Sequence, residues 1–251
     1  MLDPIKNMFA PGGPFELLAF APPGWGGNLL FGLLRSLEVA GGAYALALVI
    51  GILGAWGKLY GGELIRDLLQ IYTIVVRAVP ELVLILILYY AVPQAINSVL
   101  VASGHERIVP PPLMVGTIVL GLVIGAYMTE VLRGAIKAIP VGQMEAAKAY
   151  GMPAGLTAWR ITLPLMTANA ISGMANLWLI ATKDTALLAV IGFGELTLST
   201  RQAAGATKEH MTFFAAAALL YLIISILSGR IFAFAERWSR RGQAPLKRAA
   251  I

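Results

Sequence analysis

The chain has 251 residues, of which 58% are hydrophobic and 13% are charged, and its formal net charge is +6. Soluble domains carry about 25% charged residues, so this composition excludes an ordinary soluble domain and favours a polytopic membrane protein. The chain has no cysteine, and its two histidines, His105 and His210, lie far apart in predicted loops. Disulfides and thiolate metal sites are therefore excluded, and we expect no metal site of any kind.

The N-terminal segment, residues 1–27, is rich in proline and glycine and contains Asp3 and Glu16. It lacks the basic start, apolar run and small-residue cleavage site of a signal peptide, so we expect it to stay on the protein, outside the membrane. The basic residues sit at the ends of apolar stretches and form no patch with interleaved aromatic residues, which argues against nucleic-acid binding.

Apolar stretches separated by glycine and proline predict an all-α membrane protein with five transmembrane helices. We place these spans near 34–56, 68–92, 113–139, 161–182 and 212–235, inside one transmembrane domain of residues 28–238 that precedes a basic tail, 239–251.

Lysine and arginine predict the orientation, because segments rich in them tend to stay in the cytoplasm. With the N-terminus outside, the outer side keeps Lys6, Arg35, Arg107, Lys183, Arg201 and Lys208. The inner side then collects Lys58, Arg66, Arg133, Lys137, Lys148, Arg160, Arg230, Arg237, Arg240, Arg241, Lys247 and Arg248. We therefore expect the N-terminus outside and the C-terminus inside.

Ionisable side chains within the predicted spans mark a candidate substrate pathway, since each costs about 2.5 to 3.5 kcal/mol on insertion scales. Arg77 and Glu81 stand four residues apart in the second span, so they share a face and form either an ion pair or part of the pathway. Glu130 lies deep in the third span, one turn after Tyr127. We hypothesise that Glu130 helps to receive the amino group of a solute; the alternative is an ion pair with Arg77 or Arg133.

Three further polar residues belong to the same hypothesis. Asn176 lies in the fourth predicted span, and Lys183 and Asp184 lie near its outer end. They supply polar contacts or an external gate; for Lys183 and Asp184 the alternative is a salt bridge that anchors a loop.

The loop between the third and fourth spans predicts a short helix over 141–152. Pro140 breaks the preceding helix, and Gly151 with Pro153 supplies a stop. Glu145 falls near the N-terminal end of this helix, where the helix dipole favours negative charge. The small side chains of Ala146 and Ala147 would let a partner surface close around the helix. An ordinary amphipathic interfacial helix is the alternative interpretation.

The spacing of this loop resembles the "EAA" loop of permease subunits of ATP-binding-cassette importers, E-A-A, three residues, G, nine residues, I-x-L-P. Here the pattern is carried by Glu145-Ala146-Ala147, Gly151 and Ile161-Thr162-Leu163-Pro164. Residues 72–80, 126–134 and 183–188 extend the resemblance to the polar-amino-acid branch of these importers. The chain departs from that branch by Ala78-Val79 where Gly-Thr is common, and by Ala186 where serine is common.

The resemblance implies a type I importer permease (MetI-like) fold, in which Glu145, Ala146, Ala147, Gly151 and Pro153 couple the chain to an ATPase. It implies a transport subunit and no enzyme, with no cofactor in this chain, because ATP and magnesium are bound by the partner ATPase. The implied partners are two ATPase copies, a second permease that is identical or a sister chain, and a periplasmic solute-binding protein. The implied location is the bacterial inner membrane, and the implied substrate is a polar amino acid, with a basic amino acid or an opine-like conjugate favoured.

The sequence also indicates that this chain does not itself bind ATP. Around Gly57-Lys58, a phosphate-binding loop would need glycine in place of Ile52 and a hydroxyl residue in place of Leu59. A stand-alone secondary transporter is the alternative function, but such carriers commonly show paired repeats, and five spans without visible internal symmetry do not fit. A membrane-embedded enzyme would need a metal-ligand cluster or a nucleophile beside a histidine, and the sequence shows neither.

Overall fold

A computed structural model describes residue 13, residues 15–20 and residues 22–241. About half of the predicted N-terminal segment, 1–27, and most of the predicted basic tail, 239–251, therefore lie outside the described residues. In the described part, all regular structure is helical. The helices are α1 Gly26–Tyr60, α2 Glu63–Ala78, α3 Glu81–Ala102, α4 Pro112–Lys137, α5 Val141–Ala149, α6 Ala154–Thr157, α7 Leu163–Asp184, α8 Leu196–Thr207 and α9 His210–Ser239.

Shorter helical turns complete the chain. The 3-10 helix Glu16–Leu18 precedes α1, and the 3-10 helix Thr185–Ile191 follows α7. A π-helical segment, Ala158–Thr162, joins α6 to α7 without a break. Its position follows from Pro164, which has no backbone N–H to continue the regular hydrogen-bond ladder of an α-helix.

Five helical stretches of the described residues are long and apolar enough to cross a membrane, which confirms the predicted number of spans. They are α1, α3, α4, the continuous stretch Ala154–Ile191, and α9. Four predicted spans fall on α1, α4, that continuous stretch and α9.

The predicted second span, 68–92, is wrong as a single helix. The chain forms α2 and α3 instead, with Val79 extended (φ −92°, ψ 139°) and Pro80 as the residue before α3. Proline lacks a backbone N–H and disfavours helical backbone in the residue before it, so an apolar run across Val79-Pro80 cannot stay one helix. Of these two helices, only α3 is long and apolar enough to span the membrane. Helix α2 is an additional helix that packs on α1 and α4.

The core of the molecule is the contact between α1 and α4, which run side by side. Glycines on each helix face side chains of the other: Gly51 and Gly54 face Met128 and Thr129, and Gly125 faces Ile50. Transmembrane helices gain little from hydrophobic burial against one another, so close approach at small residues supplies much of their packing energy.

Substitution of Gly51 by alanine is expected to weaken this contact. The added Cβ would lie 2.4 Å from Met128 Cγ and 3.1 Å from its backbone carbon, so the two helices must separate. Overpacking of this kind costs about 1 to 3 kcal/mol. The matched control is Gly41→Ala in the same helix, where the Cβ meets no atom within 4 Å. Thermal unfolding in detergent should show a lower midpoint for Gly51→Ala alone, and equal midpoints for the two variants would contradict the packing argument.

Candidate functional site

The predicted coupling segment is a short helix with a well-defined end. Helix α5 begins after Pro140 and ends at Ala149, followed by the C-cap Tyr150 and by Gly151 in the left-handed region (φ 68°). The Gly151 N–H donates to Lys148 O (2.9 Å) and the Met152 N–H donates to Ala147 O (3.0 Å), which is the Schellman pattern of a helix C-terminus. Glycine tolerates this backbone conformation at no steric cost, so Gly151 fixes where α5 ends.

The side chains of the coupling segment divide into two faces. Glu145 and Ala146 are exposed, as are Gly151 and Pro153. Ala147 is only 2% exposed and packs into the chain. The Ala147 side chain is therefore covered by its own subunit, and its role in coupling to an ATPase stays a prediction. A partner protein has access to Glu145 and Ala146.

An ionic network links α1, α2 and α4 around Glu130. Lys58 Nζ donates to Glu130 Oε1 (2.6 Å), Gln70 Oε1 (2.7 Å) and Thr73 Oγ1 (2.6 Å). Arg133 donates to Glu130 Oε2 through Nη2 (2.6 Å) and Nε (3.0 Å). The Lys58 side chain is 2% exposed and that of Glu130 is 16% exposed. Both Glu130 oxygens are thus occupied by cations of the same chain, one of which is fully buried.

The sequence pattern predicted one part of this network and missed another. Arg133 was one of the two alternative partners considered for Glu130, whereas Arg77 does not contact it. Arg77 Nε donates to the Thr73 carbonyl instead (3.0 Å). The sequence pattern does not place Lys58 beside Glu130; from the sequence, Lys58 counts as a flanking charge and as part of a rejected phosphate-binding loop. The signal that could have found it is the polar pair Gln70 and Thr73, three residues apart and therefore on one face of α2.

The proposed ion pair between Arg77 and Glu81 is absent from the described part of the chain, where no contact within 4.0 Å joins them. The break at Val79-Pro80 explains this, because the two residues belong to different helices and no longer follow helical spacing. Glu81 Oε1 instead accepts a hydrogen bond from Tyr127 OH (3.3 Å).

Glu81, Tyr127 and Asp184 come together from α3, α4 and α7. The Asp184 carboxyl lies close enough to the Glu81 carboxyl for the two groups to interact electrostatically. Lys183 is exposed, and among the residues the structure covers it makes no ion pair with Asp184. The predicted anchoring salt bridge is therefore not formed. Asn176 is exposed on α7. We call Glu81, Tyr127 and Asp184 the acidic group.

A second buried carboxyl, Glu195, was missed by sequence reasoning. It precedes α8 and accepts a hydrogen bond from Leu198 N (2.8 Å), which caps that helix. Its other oxygen accepts from Ser36 Oγ of α1 and Tyr221 OH of α9, each at 3.2 Å. The side chain is fully buried, and this burial raises the pKa of the Glu195 carboxyl above its ordinary value. Glu195 thus joins three helices that are distant in the sequence.

Because its folded-state pKa is raised, Glu195 stabilises the fold most at low pH, and that contribution is lost as pH rises through the raised pKa. We expect Glu195→Gln, which stays neutral, to lose less stability than the wild-type chain between mildly acidic and neutral pH. Glu195→Ala should lose about 1 to 2 kcal/mol at every pH, because it removes the cap. Unfolding midpoints in detergent as a function of pH check both, and parallel pH profiles for wild type and Glu195→Gln would refute the linkage.

Comparison with known proteins decides the family. Residues 47–241 match the sequence profile of a family described as the binding-protein-dependent transport system inner membrane component. The chain belongs to this family. It is a membrane permease subunit of an ATP-binding-cassette importer. It is not an enzyme, because a partner subunit hydrolyses the ATP.

Relatives of this permease cover nearly the whole chain. It is 36% identical over 228 residues to the octopine transport system permease protein OccQ of Rhizobium radiobacter, covering 90% of this chain and 96% of OccQ. It is 37% identical over 228 residues to the histidine/lysine/arginine/ornithine transport system permease protein HisQ of Escherichia coli K12, covering 91% of this chain and 99% of HisQ.

Solved structures share the fold. A crystal structure of an amino acid ABC transporter with histidines matches with a TM-score of 0.72 at 23% identity, over 85% of this chain and 94% of that one. An inward-facing MetNI methionine ABC transporter matches with a TM-score of 0.70 at 15% identity, over 84% of this chain and 96% of that one. The MetI-like permease fold predicted from the sequence is confirmed.

Proposed function

We propose that this permease forms half of the translocation pathway of an importer for polar amino acids, with a basic amino acid or an opine as substrate. The single observation that carries the substrate class is the identity to permeases named for octopine and for histidine, lysine, arginine and ornithine, each over about nine tenths of the chain. The acidic group supports it, because paired carboxyls at a membrane pathway suit a cationic amino or guanidinium group.

The structure favours a different residue from Glu130 as the one that receives the solute. Glu130 was the first candidate, but its two oxygens are held by Lys58 and Arg133. Glu81 and Asp184 interact electrostatically with each other, and neither has a cation within 4.0 Å among the residues described. We assign the contact with the solute to the acidic group and a structural role to Glu130. Asn176 and Lys183, which are exposed on the helix that carries Asp184, are further candidates for this contact.

The assembly proposed here has two permeases, two ATPases docked at α5, and an external solute-binding protein, in the inner membrane of a bacterium. The second permease is an identical or a sister chain. ATP and magnesium are held by the ATPases. The excess of basic residues at the α5 side supports an orientation with the N-terminus outside and α5 in the cytoplasm, where the ATPases lie.

Transport by the reconstituted complex tests this proposal. The chain is co-expressed with its neighbouring genes, purified through a tag on this subunit, and placed in proteoliposomes with the solute-binding protein and internal ATP. We expect ATP-dependent uptake of labelled arginine, lysine, histidine or octopine. Asp184→Asn should raise the KM at least about tenfold, since a hydrogen bond to a charged group contributes about 1.5 to 3 kcal/mol.

The outcome that overturns the proposal is equally direct. Uptake by this chain alone, without ATP and without an ATPase in the preparation, would establish the alternative of a secondary transporter. ATP-driven uptake with an unchanged KM in Asp184→Asn would keep the importer and remove the acidic group from the pathway.

A further inference from the structure

A cavity of about 680 Å³ lies behind the coupling segment. Its walls are the C-terminal ends of α1 and α4, the inward side of α5, and the α6 to α7 stretch. It is separate from the acidic group, none of whose residues lines it. A volume of this size falls within the range of sites that hold a small organic ligand, about 300 to 1,000 Å³.

The cavity is lined mainly by apolar side chains, with one charged side chain at its edge. Ile52, Leu132 and Ile136 contribute aliphatic surface from the two membrane helices, and Met144 contributes from α5. Lys148 is the charged residue of the lining, and it forms no ion pair within the described chain. The cavity therefore offers an apolar interior and an uncompensated cation.

The polar groups of the lining are already engaged or lie at the mouth. Thr157 Oγ1 donates to the Pro153 carbonyl (3.2 Å), and Thr162 Oγ1 donates to Met144 Sδ (3.7 Å). A polar ligand or a peptide would leave its own hydrogen-bonding groups unsatisfied in such an interior, which costs free energy. Water does not fill apolar cavities without polar partners. The interior is suited to a hydrocarbon chain.

The mouth of the cavity carries the side chains that proteins place at a membrane surface. Trp56 is 65% exposed and Tyr60 is 64% exposed, both near the end of α1. Tryptophan and tyrosine are enriched at the level of lipid headgroups. Basic pockets between membrane helices on the cytoplasmic side bind acidic lipid headgroups. These features together suit an amphiphile with a negatively charged headgroup. The interior accommodates its hydrocarbon chain, and the aromatic residues and Lys148 lie where its headgroup would be.

We propose that this cavity binds an acyl chain of an anionic phospholipid from the cytoplasmic leaflet, with the phosphate of its headgroup at Lys148. The assignment to the cytoplasmic leaflet rests on the orientation proposed above. Because bilayer lipid is as apolar as the lining, the acyl chain gives no preference among lipids, and selectivity comes from Lys148. A bound lipid would fill the space between α5 and the ends of α1 and α4, so that the coupling segment rests on a packed surface.

The test measures lipid binding by the complete purified complex, with phosphatidylglycerol and phosphatidylcholine as probes, by native mass spectrometry. We expect the wild-type complex to prefer phosphatidylglycerol, and Lys148→Gln to lower its apparent affinity about fivefold, the effect of one lysine near a charged surface. Ile136→Trp, which fills the cavity, should lower binding of both lipids. Lys137→Gln is the control, because Lys137 is exposed at the end of α4 and does not line the cavity.

Two results would overturn the proposal. One is equal binding of the two lipids by wild type, Lys148→Gln and Lys137→Gln. The other uses the absence of natural cysteine in the chain: once lipid has been removed from the complex, the thiol of Ile136→Cys should react with a membrane-soluble maleimide. Protection of that thiol after removal of lipid would show that a helix of the second permease or an ATPase side chain fills the cavity. Neither measurement requires transport, so failure of the proposed function would be recognised separately in the uptake assay.

Discussion

Glu130→Gln is expected to cost about 3 to 5 kcal/mol of stability, because it leaves Lys58 charged and unpaired in a buried position. Lys58 Nζ would keep only neutral oxygens as acceptors, those of Gln70, Thr73 and the introduced amide, and no counterion. Lys58→Met should be milder, because the Glu130–Arg133 pair survives it with balanced charge. Denaturant unfolding in detergent, followed for both single variants, measures the two costs.

The double variant Lys58→Met/Glu130→Gln separates a structural role from a role in binding. It removes the buried cation together with its counterion and leaves Arg133, whose side chain is 28% exposed and can reach water. We expect it to be more stable than Glu130→Gln and to regain uptake. A double variant that is stable but still fails to transport would return Glu130 to the substrate pathway. A cost equal to the sum of the single costs would contradict the coupling of these residues.

Glu145→Arg is expected to abolish ATP-driven uptake while the permease itself stays folded. Glu145 is exposed on α5 and makes no ion pair in the described chain, so its replacement breaks no internal contact. Reversal of charge at a docking surface places like charges or an unpaired charge in the interface. Loss of a central interface residue costs 2 kcal/mol or more, which is an association at least about 30-fold weaker.

Co-purification of the ATPase with tagged permease, together with uptake, measures this effect. Glu106→Arg is the control of equal charge change, since Glu106 is exposed in the loop between α3 and α4 and lies outside α5. We expect the control to retain the ATPase. A Glu145→Arg complex that retains the ATPase at wild-type levels would show that α5 docks through other residues, and Ala146 would be the next candidate.

Local patterns predicted much of this molecule. The number of spans follows from apolar length, and the position of α5 follows from Pro140 and Gly151, because helix starts and stops are properties of neighbouring residues. The division of α2 from α3 was also encoded locally, in Pro80, but the apolar run around it outweighed that signal in the prediction.

Contacts between distant residues could not be predicted in the same way. Ser36 and Glu195 are separated by 159 positions, and Lys58 and Glu130 by 72. The periodicity of one helix shows which face is polar but not which helix covers that face. Ala147 illustrates the same limit, since a small residue in a surface helix suits a partner and its own core equally well.

The continuous helical stretch from α6 to α7 begins at Ala154, next to α5, and α7 ends at Asp184. One stretch of helix therefore connects the coupling segment to the acidic group. Helix α7 has 22 residues and is about 33 Å long, so a tilt of about 5° at the π-helical segment displaces its far end by about 3 Å. If closure of the ATPases tilts this stretch, the π-helical segment Ala158–Thr162 would be the pivot. Linkage requires the effect to be reciprocal: if ATPase closure changes the affinity at Asp184 by some factor, the solute changes the affinity for the closed ATPase by the same factor. The transported molecule would then regulate the ATPase of its own importer.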